Sequence, residues 1–255
     1  AGVAVPRPYW LAADASALGA PSYLMERVEG ETLARRLLRD DAYAPARAAM
    51  TAQLGEALAR IHRIDIADGR LAFLAAPPPG ESPAAAELER YEQTYRGIAP
   101  EPHPAFELAL RWLRQHLPAG VRPALVHGDY RIGNVIFGAE GLRAILDWEL
   151  AHVGDPAEDL GWLCVRAWRF GSDDQPVGGI GQRADLLAAY AGAGGGTVDP
   201  ARVHWWEVFG NLKWAIICIA QAKTHLDGLV HSVELAAIGR RTADTELELL
   251  ALIGE

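Results

Sequence analysis

His127-Gly128-Asp129-Tyr130-Arg131-Ile132-Gly133-Asn134 form one run, and Asp147 follows Asn134 by thirteen residues within Ala144-Ile145-Leu146-Asp147-Trp148. Moving a phosphoryl group from a nucleotide to a hydroxyl requires a carboxylate that orients the hydroxyl and accepts its proton, together with oxygen ligands for Mg2+. Asp129, Asn134 and Asp147 supply those parts, because carboxylate and amide oxygens are the hard ligands Mg2+ prefers. A lone Asp, Asn or His in a loop is ordinarily a turn former or a satisfied polar group. Their joint spacing here argues for phosphoryl-transfer chemistry instead.

The surrounding residues read as the elements that would hold this set. Leu125-Val126 and Val135-Ile136-Phe137 are short apolar runs, and Arg143 to Leu146 alternate with apolar neighbours, so strands should flank a loop. Gly138 to Gly141 offers a tight turn that returns the chain antiparallel and brings Asp147 back towards Asn134. Elsewhere helical periodicity dominates. It predicts helices over Ala46–Ile64, Pro83–Tyr95, Pro104–Leu117, Pro156–Trp168, Arg183–Ala191, Pro200–Leu226 and Ser232–Ile253. Ala75 to Ser82 and Gly192 to Thr197 are Pro-rich or Gly-rich connections. Gly194-Gly195-Gly196 is no phosphate cradle, because no strand precedes it and no Gly-Lys-Ser/Thr ends it. Asp155-Pro156-Ala157-Glu158 has the residues of a helix start, which leaves Asp155 open between a structural and a functional role.

His127, Asp129 and Asn134 fall on the H-R-D-x-x-x-x-N pattern of the protein-kinase catalytic loop. The His127-Gly128-Asp129 form, with Asp147-Trp148-Glu149 where protein kinases carry D-F-G, resembles the aminoglycoside phosphotransferase and choline kinase superfamily. Within it, Ile145 to Ala151, Gly154-Asp155-Pro156 and Asp159-Leu160 are similar to the branch related to the domain fused to some acyl-CoA dehydrogenases. The resemblance covers nearly the whole chain. It implies an α+β, protein-kinase-like two-lobe fold: a mostly helical large lobe over residues 29–255, and a truncated β small lobe with the hinge over residues 1–28. It also implies an ATP-dependent or GTP-dependent kinase acting on a small-molecule hydroxyl. Asp129 would then be the base, Asn134 and Asp147 the Mg2+ ligands, and Arg131 the cation that meets the transferring phosphate with a planar fork of donors. His127 would orient the loop, and Asp159, with Asp155, would tie it down.

The same likeness covers Ser22 to Gly30, an apolar strand running into a Gly-containing link. Glu26 C=O and Val28 N–H would meet the base edge of the nucleotide, with Met25 behind the ring. A kinase of this type also uses a small-lobe Lys to hold the phosphates. The chain has only Lys213 and Lys223, both far downstream, and residues 1–28 accommodate about two strands, around Tyr9 to Ala12 and Ser22 to Val28. The expectation is that the first strands and helix of the small lobe are absent from this chain.

The acceptor is the least legible part. Trp148, Glu149, Arg166, Trp168, Arg169, Trp205, Trp206 and Glu207 are candidates between the catalytic loop and the late helices, although aromatics at helical spacing ordinarily pack cores. Arg166 to Phe170 suits an anionic acceptor such as a hydroxy acid or its thioester, which the resemblance suggests. An aminoglycoside would call for clustered carboxylates, of which Asp173 and Asp174 are the nearest example.

Composition narrows the classes. Half of the 255 residues are hydrophobic, enough for one large core. A net charge of −9 argues against a nucleic-acid partner. Arg outnumbers Lys 22 to 2, a compositional bias rather than a basic surface. Cys164 and Cys218 read as reduced core residues of a cytoplasmic protein. Trp214 to Ala220, the most apolar stretch, is too short to span a membrane. The oligomeric state is not readable. Two competing readings stand beside the kinase: a kinase-shaped module that binds a nucleotide or metabolite without catalysis, and a metal-dependent hydrolase using His127, Asp129, Asp147, His152 and Asp155.

Overall fold

A computed structural model describes residues 2–14, 18–99 and 101–254. Two strands come first, β1 (Pro8–Ala12) and β2 (Ser22–Met25), paired antiparallel with Pro8 opposite Met25 and Ala12 opposite Ser22. A link through Gly30 leads to the short helix α1 (Ala34–Arg39) and then to α2 (Ala44–His62). The sequence pattern did not mark α1, because six residues are too few to show a period. Gly30 is required at the link, since a Cβ there would sit 2.4 Å from Ile136 Cγ2 and 2.8 Å from the Phe137 carbonyl.

Helices α3 (Pro83–Ile98) and α4 (Pro104–Gln115) follow, each with Pro in its first turn, where the missing N–H costs no hydrogen bond. Three short strands then carry the site: β3 (Ala124–Val126), β4 (Val135–Gly138) and β5 (Gly141–Ile145). Gly138 lies opposite Gly141 and Val135 opposite Ile145, so β4 and β5 form the hairpin expected from the sequence. β6 (His152–Gly154) pairs antiparallel with β3, Val126 opposite His152.

The remaining helices are α5 (Ala157–Cys164), α6 (Arg183–Tyr190), α7 (Pro200–Leu226), α8 (Val233–Ile238) and α9 (Arg241–Gly254). The periodic stretch from Pro156 to Trp168 breaks at Val165, which turns to ψ 134° before a single 3-10 turn at Arg166–Trp168. The stretch from Ser232 to Ile253 likewise splits around Gly239, whose backbone approaches Ala222 on α7 so closely that a Cβ would lie 2.7 Å from the Ala222 Cβ. Helix α7 is capped by Asp199, which accepts from the Ala201 N–H.

Two apolar clusters make the core. One packs α2 against the β4–β5 hairpin and α5, with Leu54, Leu58, Phe137, Ile145 and Leu163 buried. The other packs α3, α4 and α9 around α7 through Tyr95, Phe106, Trp205, Phe209 and Leu249. The loop after β3 contributes Tyr130 and Ile132 to the first. Cys164 and Cys218 are buried free thiols, their pKa values pushed up to about 12 by burial. No helix among the described residues is long and apolar enough to cross a membrane.

Candidate active site

The chain leaves β3 at Val126 and enters a loop whose backbone is held from below. Asp159, fully buried on α5, accepts from the His127 N–H at 2.8 Å, the Gly128 N–H at 2.9 Å and His62 Nε2 at 3.1 Å. His62 in turn meets the Tyr190 hydroxyl through Nδ1 at 3.0 Å. Burial raises the pKa of Asp159, but the His62 hydrogen bond and charge, with the His127 N–H, outweigh it and hold the carboxyl below its usual range. Gly128 has φ +80°, and a Cβ there would lie 2.4 Å from the Leu150 carbonyl. Only glycine fits that position.

His127 is buried and fully engaged. Its Nε2 bonds the Leu146 carbonyl at 2.9 Å and its Nδ1 accepts the Asp129 N–H at 3.2 Å, which assigns the proton to Nε2. The imidazole therefore ties the loop to the residue before Asp147, and its ring lies 4.6 Å from that of Trp148. This is an orienting arrangement.

Asp129 sits at the mouth of the loop. Its Oδ1 accepts from Trp162 Nε1 at 2.7 Å and Arg131 Nε at 3.1 Å, and its Oδ2 from Asn134 Nδ2 at 2.6 Å. Asn134 Nδ2 also reaches the Asp129 carbonyl at 3.0 Å. The amide N–H groups are thus spent on Asp129, which leaves Asn134 Oδ1 as the atom free to meet a cation. The Leu146 N–H bonds the Asn134 carbonyl at 2.8 Å, joining the two halves of the motif through the backbone. Asp147 then adopts φ +66°, a conformation that costs a non-glycine residue about 1–3 kcal/mol and that gathers at functional sites.

Gly133, Asn134, Asp147, Trp148 and Glu149 line one side of an open cleft of about 1180 Å³, and Pro8, Tyr23 and Met25 line the other. Glu26 takes no place on that wall. Its N–H is bound to the Arg7 carbonyl at 2.8 Å and its carboxylate to the Arg7 N–H at 3.1 Å. Among the described residues, neither the Glu26 carbonyl nor the Val28 N–H makes a backbone hydrogen bond, so both remain available in the link after β2.

The acceptor candidates separate into two groups. Glu207 is fully buried and held by Arg169 at 2.7 Å and Arg183 at 2.6 Å, while Trp205 Nε1 donates to the Leu113 carbonyl and Trp206 Nε1 to Asp155. Asp155 also accepts the Ala157 N–H and binds Arg202. It joins the start of α5 to α7. Arg166 instead is exposed, bound to Asp173 at 2.8 Å and near Glu248 at 3.5 Å. Trp148 and Glu149 lie in the cleft.

Two residues that hold the loop around Asp129 escaped the sequence reading: Trp162, which donates to the Asp129 carboxylate, and Lys213. Trp162 stands three residues after Asp159 on the same face of α5, a spacing that was available as a signal. Lys213 was visible as a rare lysine within an apolar helical run. It is buried on α7, and its Nζ donates to the Gly128 carbonyl at 2.9 Å and to Glu158 at 3.3 Å. Glu158 also binds His152 Nε2 at 3.2 Å, and Glu87, His152 and Glu158 converge within 4.8 Å. This cluster carries its own cations. Burial disfavours the charged His152, yet Glu158 more than offsets this and raises its pKa to about 9. A divalent ion would have to displace that proton beside the Lys213 ammonium, so the chemistry is that of an internal ion cluster.

The pattern of the phosphotransferase enzyme family, APH, matches residues 1–206. The chain belongs to this family. Among its relatives, mouse acyl-CoA dehydrogenase family member 10 is 34% identical over 172 residues, 65% of this chain and 15% of that protein. The chain therefore spans a minor part of that relative. Among solved structures, a Ralstonia eutropha protein assigned as a candidate aminoglycoside phosphotransferase superposes with a TM-score of 0.80 at 26% identity, covering 99% of this chain and 79% of that one. Aminoglycoside 2'-phosphotransferase-IIIa, solved with GDP, shares the fold with a TM-score of 0.64 at 13% identity over 98% of this chain and 76% of that one. The kinase-like α+β fold expected from the catalytic motif is thus the fold of this family.

Proposed function

We propose that this phosphotransferase-family chain transfers the γ-phosphoryl group of ATP or GTP to a hydroxyl of a small metabolite. The observation that carries the reading is Asn134, whose Nδ2 is spent on the carboxylate of Asp129 and which lines the cleft together with Asp147. Asp129 orients the acceptor hydroxyl and takes its proton. Asn134 Oδ1 and the Asp147 carboxylate fit Mg2+, which when bound neutralises phosphate charge. Arg131, whose guanidinium lies 4.8 Å from the Trp168 ring, turns from Asp129 towards the transferring phosphate. Glu26 C=O and Val28 N–H take the nucleotide base, with Met25 against its ring. In this reading residues 1–28 belong to the nucleotide-facing lobe and residues 29–255 to the catalytic lobe of a cytoplasmic enzyme with no nucleic-acid or membrane partner.

For the acceptor, a hydroxy acid or its acyl derivative is favoured over an aminoglycoside. Arg35, Arg39, Arg166 and Arg241 line a cavity of about 400 Å³ together with Trp214, Asp173, Asp244 and Glu248, and Asp173, which a cationic acceptor would need, is already bound to Arg166. Calorimetric titration with ATP and GTP, with and without Mg2+, followed by 31P detection of transfer to hydroxy acids and to aminoglycosides, tests the reading. Mg-dependent binding with transfer supports it. Binding without transfer to any acceptor, unchanged in Asp129→Asn, would favour the alternative of a kinase-shaped binding module.

A further inference from the structure

In a chain that uses Arg 22 times and Lys twice, the buried cation behind the catalytic loop is a lysine. Lys213 is 1% exposed on α7. Burial opposes its charge, but Glu158 outweighs it and keeps the pKa above the usual lysine value, so the ammonium stays charged. It meets the loop along two routes of contact that converge on Asp129. One is the bond to the carbonyl of Gly128, the residue before Asp129, whose N–H is held from the other side by Asp159. The other is aromatic: Nζ lies 4.6 Å from the centroid of Trp162, and the Nε1–H of that indole donates to Asp129 Oδ1 at 2.7 Å. A cation over an indole face draws electron density from the ring and makes its N–H a stronger donor. The ammonium lies 5.5 Å from the centroid of the Tyr91 ring and 4.6 Å from that of Trp162.

We propose that Lys213 and Trp162 are positioning residues for Asp129: the buried ammonium fixes the Gly128 carbonyl and polarises the Trp162 indole, which holds Oδ1 and aims the carboxylate at the acceptor. This rests on Asp129 acting as the base. The groups facing the pair are Arg131 and Asn134 at the carboxylate, and Glu158, with His152 bound to it, and Tyr91 at the ammonium.

The first test needs no activity. In a 15N NMR spectrum the Trp162 Nε1–H resonance, identified by its loss in Trp162→Phe, should lie downfield in wild type. It should move towards the free-indole position in Asp129→Asn, and in the same direction in the neutral pair Lys213→Met with Glu158→Gln. That pair removes the Lys213 and Glu158 charges together but also takes Glu158 from His152, so its folding is checked by circular dichroism. A folded pair with the resonance unmoved would overturn the inference. If the pair does not fold, Trp162→Phe decides, because it keeps an aromatic face beneath Lys213 and removes the N–H. With an accepted substrate, its kcat should fall about tenfold at unchanged nucleotide KM, the loss expected for one charge-assisted hydrogen bond. Unchanged kcat would overturn the positioning role. Absence of turnover in wild type would count against Asp129 as a base and leave the NMR result standing on its own.

Discussion

The catalytic loop and the β1–β2 hairpin line the same cleft and are built in opposite ways. Behind the loop, Asp159, Glu158, Lys213 and His127 are all buried and all partnered. Along the hairpin, Tyr9, Leu11, Tyr23 and Leu24 are each more than half exposed. Two strands without a covered face hold their shape mainly through the ladder between them. The difference teaches where single side chains should matter. The loop half of the cleft is set by buried charges whose removal strands their partners, while the hairpin half is set by backbone.

The sharpest ways to break that contrast lie in the loop. Asp129→Asn should lower turnover by about 10²–10⁴ while nucleotide affinity stays nearly unchanged, as for the loss of a proton acceptor, and wild-type turnover in the mutant would remove that role. Asp159→Ala strands two backbone N–H groups and His62, and should cost about 3–5 kcal/mol in denaturant unfolding, with the cost taken from the loop's own support. A loss below 1 kcal/mol would mean that the loop does not depend on Asp159.

Legibility followed the same division. Asp129, Asn134 and Asp147 stood out as the proposed set because phosphoryl transfer restricts both residue type and spacing, and Gly138 and Gly141 announced the hairpin that brings Asp147 back to Asn134. Most helices were readable from their period, since α3 and α4 each turn an apolar face to the core, while α7, buried on consecutive residues from Trp205 to Lys213, was readable from its length and apolar content. The breaks were not read: Val165 is no helix-stop residue, and the Gly239 signal at the end of α8 was passed over inside a periodic stretch. Trp162 and Lys213 were missed for a different reason. Each sits on an ordinary buried helix face, and only the fold shows that those faces end on Asp129 and Gly128. Glu207 and Arg169 read as acceptor candidates in the sequence because their charge neutralises only across 38 residues, as a buried pair.

A pH scan probes the ion cluster behind the loop. His152 has its pKa raised from 6.5 to about 9, so its ion pair with Glu158 stabilises fully below pH 6.5 and is lost as pH rises through 9. Wild type should therefore exceed His152→Asn in stability by about 2–3 kcal/mol at pH 6, and the gap should close by pH 10. A gap that stays constant across that range would mean that His152 contributes through packing alone.

Asp147 links the two halves and separates stability from function. Replacing it with glycine removes the strain of φ +66° and should raise stability by about 1 kcal/mol while weakening Mg-dependent nucleotide binding. Gain and loss together mark a residue retained for its ligand oxygen. The smallest effect belongs to the hairpin. Leu11 is 70% exposed, so Leu11→Ser should change unfolding free energy by no more than about 0.5 kcal/mol and leave the loop's response to Asp159→Ala unaltered. A larger cost, or coupling between the two substitutions in a double-mutant cycle, would show that the hairpin's side chains help to set the catalytic half after all.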